Sequence, residues 1–284
     1  MKNVLITGTN SFIGESLKNW LSASENQYKV MTLDMEHNDW KSVDFKIYDV
    51  VVHLAALVHK HDTIKHKAMY YKVNYELAVE AAAKAKSDGV SQFVFLSTMS
   101  VYGIDKGKID STTISHPTSY YGKSKLKAEN EIKKLEDSKF HVAILRPPMV
   151  YGAGCKGNYP LLVKFTKLTP VFPMVNNLRS MIYIDNLCEF IKVVIDDYMT
   201  GIFFPQNSEY LSTTDLVKEI ASAHNKKIIY LKWLKWFIKP IGIMNFNKRF
   251  EDLTYDKEMS LIHKEYCVVE FRESIALTEQ GNIK

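Results

Sequence analysis

The stretch Val4-Leu5-Ile6-Thr7-Gly8-Thr9-Asn10-Ser11-Phe12-Ile13-Gly14 constrains this chain more than any other. Its first three residues form a short apolar run that ends in a glycine turn, and Ile13, Leu17, Trp20 and Leu21 then recur at helical spacing. That is a strand, a tight turn and a helix. The N–H groups left open where such a helix begins, together with the positive end of its dipole, attract a pyrophosphate. Gly8 and Gly14 allow the close turn, and Asn10, Ser11, Phe12 and Ile13 complete the phosphate-facing segment. Ser11 stands where a middle glycine is usual; unless its backbone needs a positive φ, its hydroxyl can donate to a phosphate oxygen. A second apolar run, 28–33, is closed by Asp34, about twenty residues after the turn, where a carboxylate takes both hydroxyls of an adenosine ribose and repels a 2′-phosphate. NAD is therefore expected in preference to NADP.

The rest of the chain alternates in the same way. Val50-Val51-Val52-His53-Leu54-Ala55-Ala56 reads as a strand buried on both faces, with its carboxyl end, 53–57, bordering the cofactor. Between Asp34 and this run, residues 35–48 leave room only for a compressed crossover. Val73, Leu77, Ala81 and Ala85 predict a helix over about 71–87, followed by a strand at 93–96 that delivers Ser97-Thr98-Met99-Ser100-Val101-Tyr102-Gly103 to the sheet edge. After a polar, turn-rich loop at 104–119, a helix carries Tyr121-Gly122-Lys123-Ser124-Lys125 with Ala128, Ile132 and Leu135 on its buried face. A strand at 142–145 is stopped by Arg146-Pro147-Pro148. A strand and helix resume over 181–195, and 201–204 is a further short strand. These elements predict an α/β fold, a Rossmann-type doubly wound parallel sheet, with a smaller C-terminal substrate-binding domain. Glycine and proline enrichment from 151 onward sets the boundary: residues 1–150 with about 180–207 form the NAD-binding domain, and 151–179 with 208–284 the interleaved substrate-binding domain.

A formal charge of +5, from 37 basic and 32 acidic residues spread along the chain, suits a phosphorylated small substrate rather than a nucleic-acid groove, and no nucleic-acid motif is present. Cys155, Cys188 and Cys267 lie far apart without metal-ligand spacing and read as free thiols of a reducing compartment. The N-terminal run is too short for a signal peptide, and no stretch reaches the ~18 apolar residues of a membrane span, so a cytoplasmic location is expected. His53, His59, His61 and His66 have lysine neighbours rather than further ligands, and no metal is expected. Residues 228–244 are aliphatic and aromatic, with Lys232, Lys235 and Lys239 at helical spacing beside Trp233 and Trp236. Such a helix packs the small domain, or rests peripherally on an anionic membrane.

Tyr121 and Lys125 are four apart on one helix and project from one face. A phenol, with an ordinary pKa near ~10, is a weak base at neutral pH, and an ammonium within ~4–6 Å favours its ionised form. Thr98, at a strand end, can hold the substrate oxygen that Tyr121 deprotonates.

With these residues in place, the chain resembles the extended short-chain dehydrogenase/reductases, in their nucleotide-sugar epimerase/dehydratase branch. The likeness spans nearly the whole sequence. Thr7-Gly8 to Gly14 is similar to the nucleotide-binding turn, His53-Leu54-Ala55-Ala56 to the fourth-strand motif and Asn74 to the structural asparagine. Thr98 falls on the catalytic Ser/Thr position, Tyr121 and Lys125 on the tyrosine-x-x-x-lysine pair, and Arg146-Pro147 with Val150-Tyr151-Gly152 on the start of the substrate region. The resemblance implies that Pro148 lines the cofactor and that Asn158 and Arg179, the latter preceding Ile182-Tyr183-Ile184-Asp185, bind the substrate diphosphate. It implies that Asp44-Phe45 reads the adenine, although Val43 replaces the usual preceding glycine, and that the protein is a homodimer. Sugar 4,6-dehydratases carry Asp-Glu after the catalytic threonine; this chain has Met99 and Ser100, which argues against dehydration. The implied activity is an NAD-dependent 4-epimerisation of a nucleotide sugar, with a 4-ketoreductase of deoxysugar or surface-polysaccharide synthesis as the alternative and a non-catalytic dinucleotide sensor less favoured.

Overall fold

A computed structural model describes residues 1–24, 26–58, 62–233 and 250–282. The chain runs β1 (Lys2–Thr7), α1 (Phe12–Ser22), β2 (Tyr28–Leu33), β3 (Val50–His53), α2 (Ile64–Tyr70), α3 (Leu77–Ser87), β4 (Gln92–Leu96), β5 (Gly107–Ile109), α4 (Tyr120–Lys133) and β6 (His141–Leu145). It continues through β7 (Met149–Tyr151), α5 (Asn158–Leu168), β8 (Val171–Pro173), β9 (Met181–Tyr183), α6 (Ile184–Asp196), β10 (Gly201–Phe203), α7 (Thr213–Ala223), β11 (Ile229–Leu231), β12 (Leu253–Tyr255) and α8 (Phe271–Gly281).

Six parallel strands form the central sheet in the order β10-β6-β4-β3-β1-β2. The valines of β3 show why it forms: Val50 and Val52 join Val4, Ile6, Leu17 and the apolar side of α6 in one core, while Val51 joins Leu5, Phe93 and the alanines of α3 in the other. Alternate residues of each strand are thus buried on opposite faces, as a doubly wound sheet requires. Strand order reverses between β1 and β3, so their carboxyl ends flank the crevice where ligands bind in such sheets.

Of the stripe expected over 71–87, Ala81 and Ala85 are buried, whereas Val73 and Leu77 are half-buried and Asn74 and Ala78 are buried beside them, where a π-helical turn, Tyr71–Glu76, joins α2 to α3. Between β2 and β3 the described residues make only a 3-10 turn, Asn38–Ser42, and no outer strand.

Outside the central sheet the described strands pair in twos: β7 with β9, β8 with β11, and β12 with β5. The last pairing brings order to part of the loop expected at 104–119. Of the stretch 228–244, Ile229–Leu231 is strand β11 rather than helix, and Trp233 is exposed. Lys235, Trp236 and Lys239 lie outside the described residues, as do His59 and His61. No helix among the described residues is long and apolar enough to cross a membrane.

Candidate active site

At the β1–α1 turn the backbone explains each unusual residue. Gly8 has φ +90°, and a Cβ there would come within 2.8 Å of the Ala55 nitrogen, so the Leu54-Ala55-Ala56 segment passes directly against the turn. The left-handed conformation next in the turn falls on Asn10 (φ 62°), not on Ser11. Ser11 is extended (φ −79°, ψ 145°), and its Oγ accepts from the Gly14 N–H at 3.1 Å, capping α1. A Cβ on Gly14 would lie 2.5 Å from that Oγ. The serine cap therefore requires the glycine, and the missing middle glycine is no defect.

The cradle fits a dinucleotide on its own geometry. Gly8 and Gly14 leave no room for a side chain and so keep the turn tightly wound, the start of α1 with Phe12 and Ile13 faces the crevice, and Asp34 stands exposed just past β2, its Oδ1 accepting from the Glu36 N–H at 2.8 Å. The Asp44-Phe45 expectation does not fit. Phe45 is fully buried in the core, and its N–H donates to Asp88, which follows α3 at the amino edge of the sheet, opposite the crevice. Without an outer strand to carry it, the segment has already descended to that edge by residue 45.

Thr98, Tyr121 and Lys125 converge where β4 ends. Thr98 caps a 3-10 turn, Met99–Tyr102: its Oγ1 accepts from the Ser100 N–H at 3.1 Å and donates to Ser100 Oγ at 3.2 Å. Ser119 caps α4 by accepting from the Gly122 N–H at 3.0 Å, which fixes the start of the helix bearing Tyr121. Burial pushes the Tyr121 phenol up to about 12, the Thr98 hydroxyl pulls it back and the nearby Tyr70 adds to the rise. Lys125, buried, donates from Nζ to Leu96 O at 2.8 Å and lies over the Phe95 ring. Burial brings it down to about 7, with Glu129 holding it up. The hydrogen bond of the ammonium is directed at the strand end.

Asn74 is wholly buried in the π-helical turn. Its Oδ1 accepts from Leu57 N–H at 2.7 Å, and its Nδ2 donates to Leu57 O at 3.1 Å and to Ser124 Oγ at 3.3 Å. It braces the 54–57 segment against α4 and meets a ligand only through what it holds. His53, buried between Phe93 and Phe95, exchanges a hydrogen bond between Nδ1 and Thr7 Oγ1 at 2.9 Å. Burial, with Lys125 adding, depresses it to about 3, so it is neutral.

Beneath these residues lies a polar network that sequence spacing did not single out. Glu129 accepts from Ser97 Oγ and from Arg146, whose Nη2 approaches Oε2 to 2.6 Å, while Arg146 Nη1 donates to the Tyr102 hydroxyl at 3.0 Å. The Tyr255 hydroxyl in turn donates to Arg146 O at 2.8 Å. Glu129 lies one helical turn past Lys125 on the buried face of α4, and an acid on such a face is the signal that marks it.

Pro148 is buried, and Met99 N–H donates to Pro147 O at 2.9 Å, tying the loop after β6 to the catalytic turn. Asn158 opens α5 and is exposed. Arg179 pairs its backbone with Leu211 in both directions, at 2.9 and 3.0 Å, and its Nη1 donates to Glu251 O at 3.1 Å. No group of three or more His, Cys, Asp or Glu among the described residues could hold a metal ion.

The pattern of the NAD dependent epimerase/dehydratase family matches residues 4–202. UDP-glucose 4-epimerase of Vibrio cholerae is 29% identical over 267 residues, covering 85% of this chain and 81% of that protein. N-acetyl-alpha-D-glucosaminyl-diphospho-ditrans,octacis-undecaprenol 4-epimerase of Escherichia coli O157:H7 is 29% identical over 247 residues, 80% of this chain and 73% of the relative. Among solved structures, UDP-glucuronic acid 4-epimerase of Bacillus cereus in complex with NAD superposes with a TM-score of 0.76 at 18% identity, over 99% and 98% of the two chains. A dTDP-4-dehydrorhamnose reductase of Clostridium acetobutylicum gives 0.75 at 22% identity, over 98% of each.

Proposed function

The chain belongs to the NAD-dependent epimerase/dehydratase family, and on that premise we propose that it is a nucleotide-sugar 4-epimerase, acting on a UDP-hexose or UDP-N-acetylhexosamine through a transient 4-keto sugar. The observation that carries the reading is the meeting of Thr98, Tyr121 and Lys125 at one strand end beside the glycine turn. The 4-epimerase names of two relatives support it.

NAD, the family's cofactor, would when bound supply the hydride acceptor and donor that inversion at C4 needs. Tyr121, as phenolate, takes the proton of the C4 hydroxyl and later gives it back, and Thr98 holds the C4 oxygen by a hydrogen bond. Lys125 binds the ribose next to the nicotinamide, with Leu96 O as its resting partner. Gly8, Asn10, Ser11, Phe12, Ile13 and Gly14 hold the pyrophosphate, Asp34 the adenosine ribose, and Leu54, Ala55, Ala56 and Pro148 line the cofactor. Asn158 and Arg179 take the substrate diphosphate, within a substrate-binding part formed by 151–179 and the chain after 208. Met99 and Ser100 offer no acid or base for removing water, which separates this reading from a 4,6-dehydratase. A homodimer working on the cytoplasmic NAD pool completes the proposal.

Incubation of the purified protein with UDP-sugars, and mass spectrometry of its bound cofactor, tests the reading. Interconversion of C4 epimers with NAD retained is expected; stoichiometric loss of NADH on a 4-keto sugar would instead make the protein a 4-ketoreductase. Tyr121→Phe keeps the ring and should lower turnover at least ~100-fold while NAD still binds. Near-parental turnover in that variant would overturn the assignment.

A further inference from the structure

Acidic residues are spread unevenly along this chain. Residues 138–184 hold six basic residues and no aspartate or glutamate, and residues 220–250 hold seven basic residues and again no acid. These are the two longest acid-free stretches of the sequence, and the fold lays them side by side. Strand β8 pairs with β11, and the Ile229 N–H donates to Pro170 O at 2.9 Å. Lys226 Nζ donates to the Thr166 carbonyl at 2.8 Å and to that of Lys167, closing the end of α5.

The surface formed in this way mixes cations with apolar side chains. Helix α5 buries Tyr159, Val163 and Thr166 and turns Leu161, Lys164, Lys167 and Leu168 to solvent, one outer stripe at helical spacing. On and around β11, Lys227, Ile229, Lys232 and Trp233 are exposed as well. A single exposed leucine is ordinary; here Leu168 (73% exposed), Ile229 (61%) and Trp233 (57%) stand among four lysines. The acids of α7, which packs against α5, are engaged by Lys218 and Arg272, and among the described residues none of the four lysines has an ion-pair partner.

We propose that the outer stripe of α5 and the adjoining β11 dock this protein on an anionic phospholipid surface, with the lysines among the headgroups and Leu161, Leu168 and Ile229 at the acyl boundary. Lysines clustered without acids are drawn to a negatively charged bilayer. Apolar side chains set between them are covered only by a partner that offers negative charge and hydrocarbon together. Tryptophan suits that boundary, because its ring is apolar and its N–H is polar. A second copy of the chain would set lysine against lysine, since a two-fold contact brings the same patch of both subunits together. A nucleic acid would satisfy the lysines and leave the leucines and Ile229 in water. The docking surface is α5 with strand β11, and it requires no helix over 228–244. It goes beyond the epimerase reading and does not depend on it.

Co-sedimentation of the full chain with vesicles tests this, using phosphatidylcholine alone and an equimolar mixture of phosphatidylcholine and phosphatidylglycerol. The parent is expected to bind the mixed vesicles, to ignore the neutral ones and to come off in high salt. Lys164→Gln/Lys167→Gln/Lys227→Gln/Lys232→Gln should lower the partition coefficient at least ~100-fold. Leu168→Ser/Ile229→Ser, which leaves the charge untouched, should lower it at least ~10-fold. Lys29→Gln/Lys46→Gln/Lys133→Gln/Lys139→Gln removes as many exposed lysines at the amino edge of the central sheet and should bind as the parent does. Each variant is compared after its circular-dichroism spectrum has been matched to the parent's. Failure of the parent to bind mixed vesicles, or an equal loss in the control set, would overturn the proposal. Full binding by the serine variant would reduce the surface to general cation attraction and also overturn it, as would binding of polyuridylate without binding of vesicles. Turnover of a soluble nucleotide sugar by the parent is measured without vesicles, so failure of the epimerase reading shows there and leaves the docking result standing.

Discussion

Glu129→Gln tests whether the buried network beneath Tyr121 and Lys125 is held by charge. The Glu129 and Arg146 side chains retain only 3% and 8% of their exposure, and Arg146 contacts the carboxylate through Nε at 3.1 and 3.2 Å and through Nη2 at 2.6 Å. A carboxamide keeps the volume but removes the charge, and in either orientation its NH₂ group faces an N–H of the guanidinium, whose Nε contacts both oxygens. Breaking a buried pair from one side costs about 3–5 kcal/mol, because the remaining ion stays desolvated. For a chain of this size, at about 2–4 °C per kcal/mol, the melting temperature should fall by roughly 6–20 °C. Burial also removes salt screening, so the fall should be nearly the same at low and high ionic strength. Circular-dichroism melts of the parent, Glu129→Gln and Glu129→Gln/Arg146→Met give the number, and the double variant should recover much of the loss by removing the orphaned cation. A single variant melting within about 2 °C of the parent would refute the reasoning.

Three further outcomes are expected. Lys125 is lowered from 10.5 to about 7, so between those values the unfolded chain holds a proton that the folded one lacks. Its destabilising effect is therefore complete below about pH 7 and is relieved as pH rises toward 10.5. Urea midpoints for Lys125→Met should lack this rise, and NAD titration should show weaker binding. Asp34→Ala should narrow the preference for NAD over NADP, mainly by weakening NAD; tighter NADP than NAD in the parent would count against the role assigned to Asp34. Arg179→Ala should raise the KM for the nucleotide sugar strongly and weaken UDP in calorimetry while NAD is unaffected, with Arg179→Lys recovering only part because it keeps the charge and loses the fork.

The β1–α1 unit is legible in the sequence because a short apolar run, a glycine and a helical stripe follow one another with no other reading at that length. The same holds for β3, whose valines must be buried on both faces, and for Tyr121 and Lys125, placed on one face by helix geometry alone. Asp44-Phe45 misleads because a dipeptide carries no periodicity: only the structure reveals that Phe45 is buried and bonded to Asp88 at the amino edge of the sheet. The π-helical turn is invisible for a related reason, since apolar residues stand on both candidate stripes. The direction of the Lys125 ammonium depends on Leu96 O, and the partner of Glu129 is Arg146, 17 residues away and just past the end of β6. Pairings between three-residue strands such as β5 and β12 leave no local signal at all.

The β5–β12 pairing also orders events during synthesis. The segment that follows the catalytic turn cannot be completed until Leu253–Tyr255 has been made, and the Tyr255 hydroxyl then reaches Arg146 O across 109 residues of chain. A ribosome-bound chain ending before residue 253 has every strand of the six-stranded sheet and the serine caps of α1 and α4, yet lacks the clasp over the Arg146 backbone. The nascent protein is thus expected to acquire a nucleotide crevice well before it acquires a finished reaction chamber.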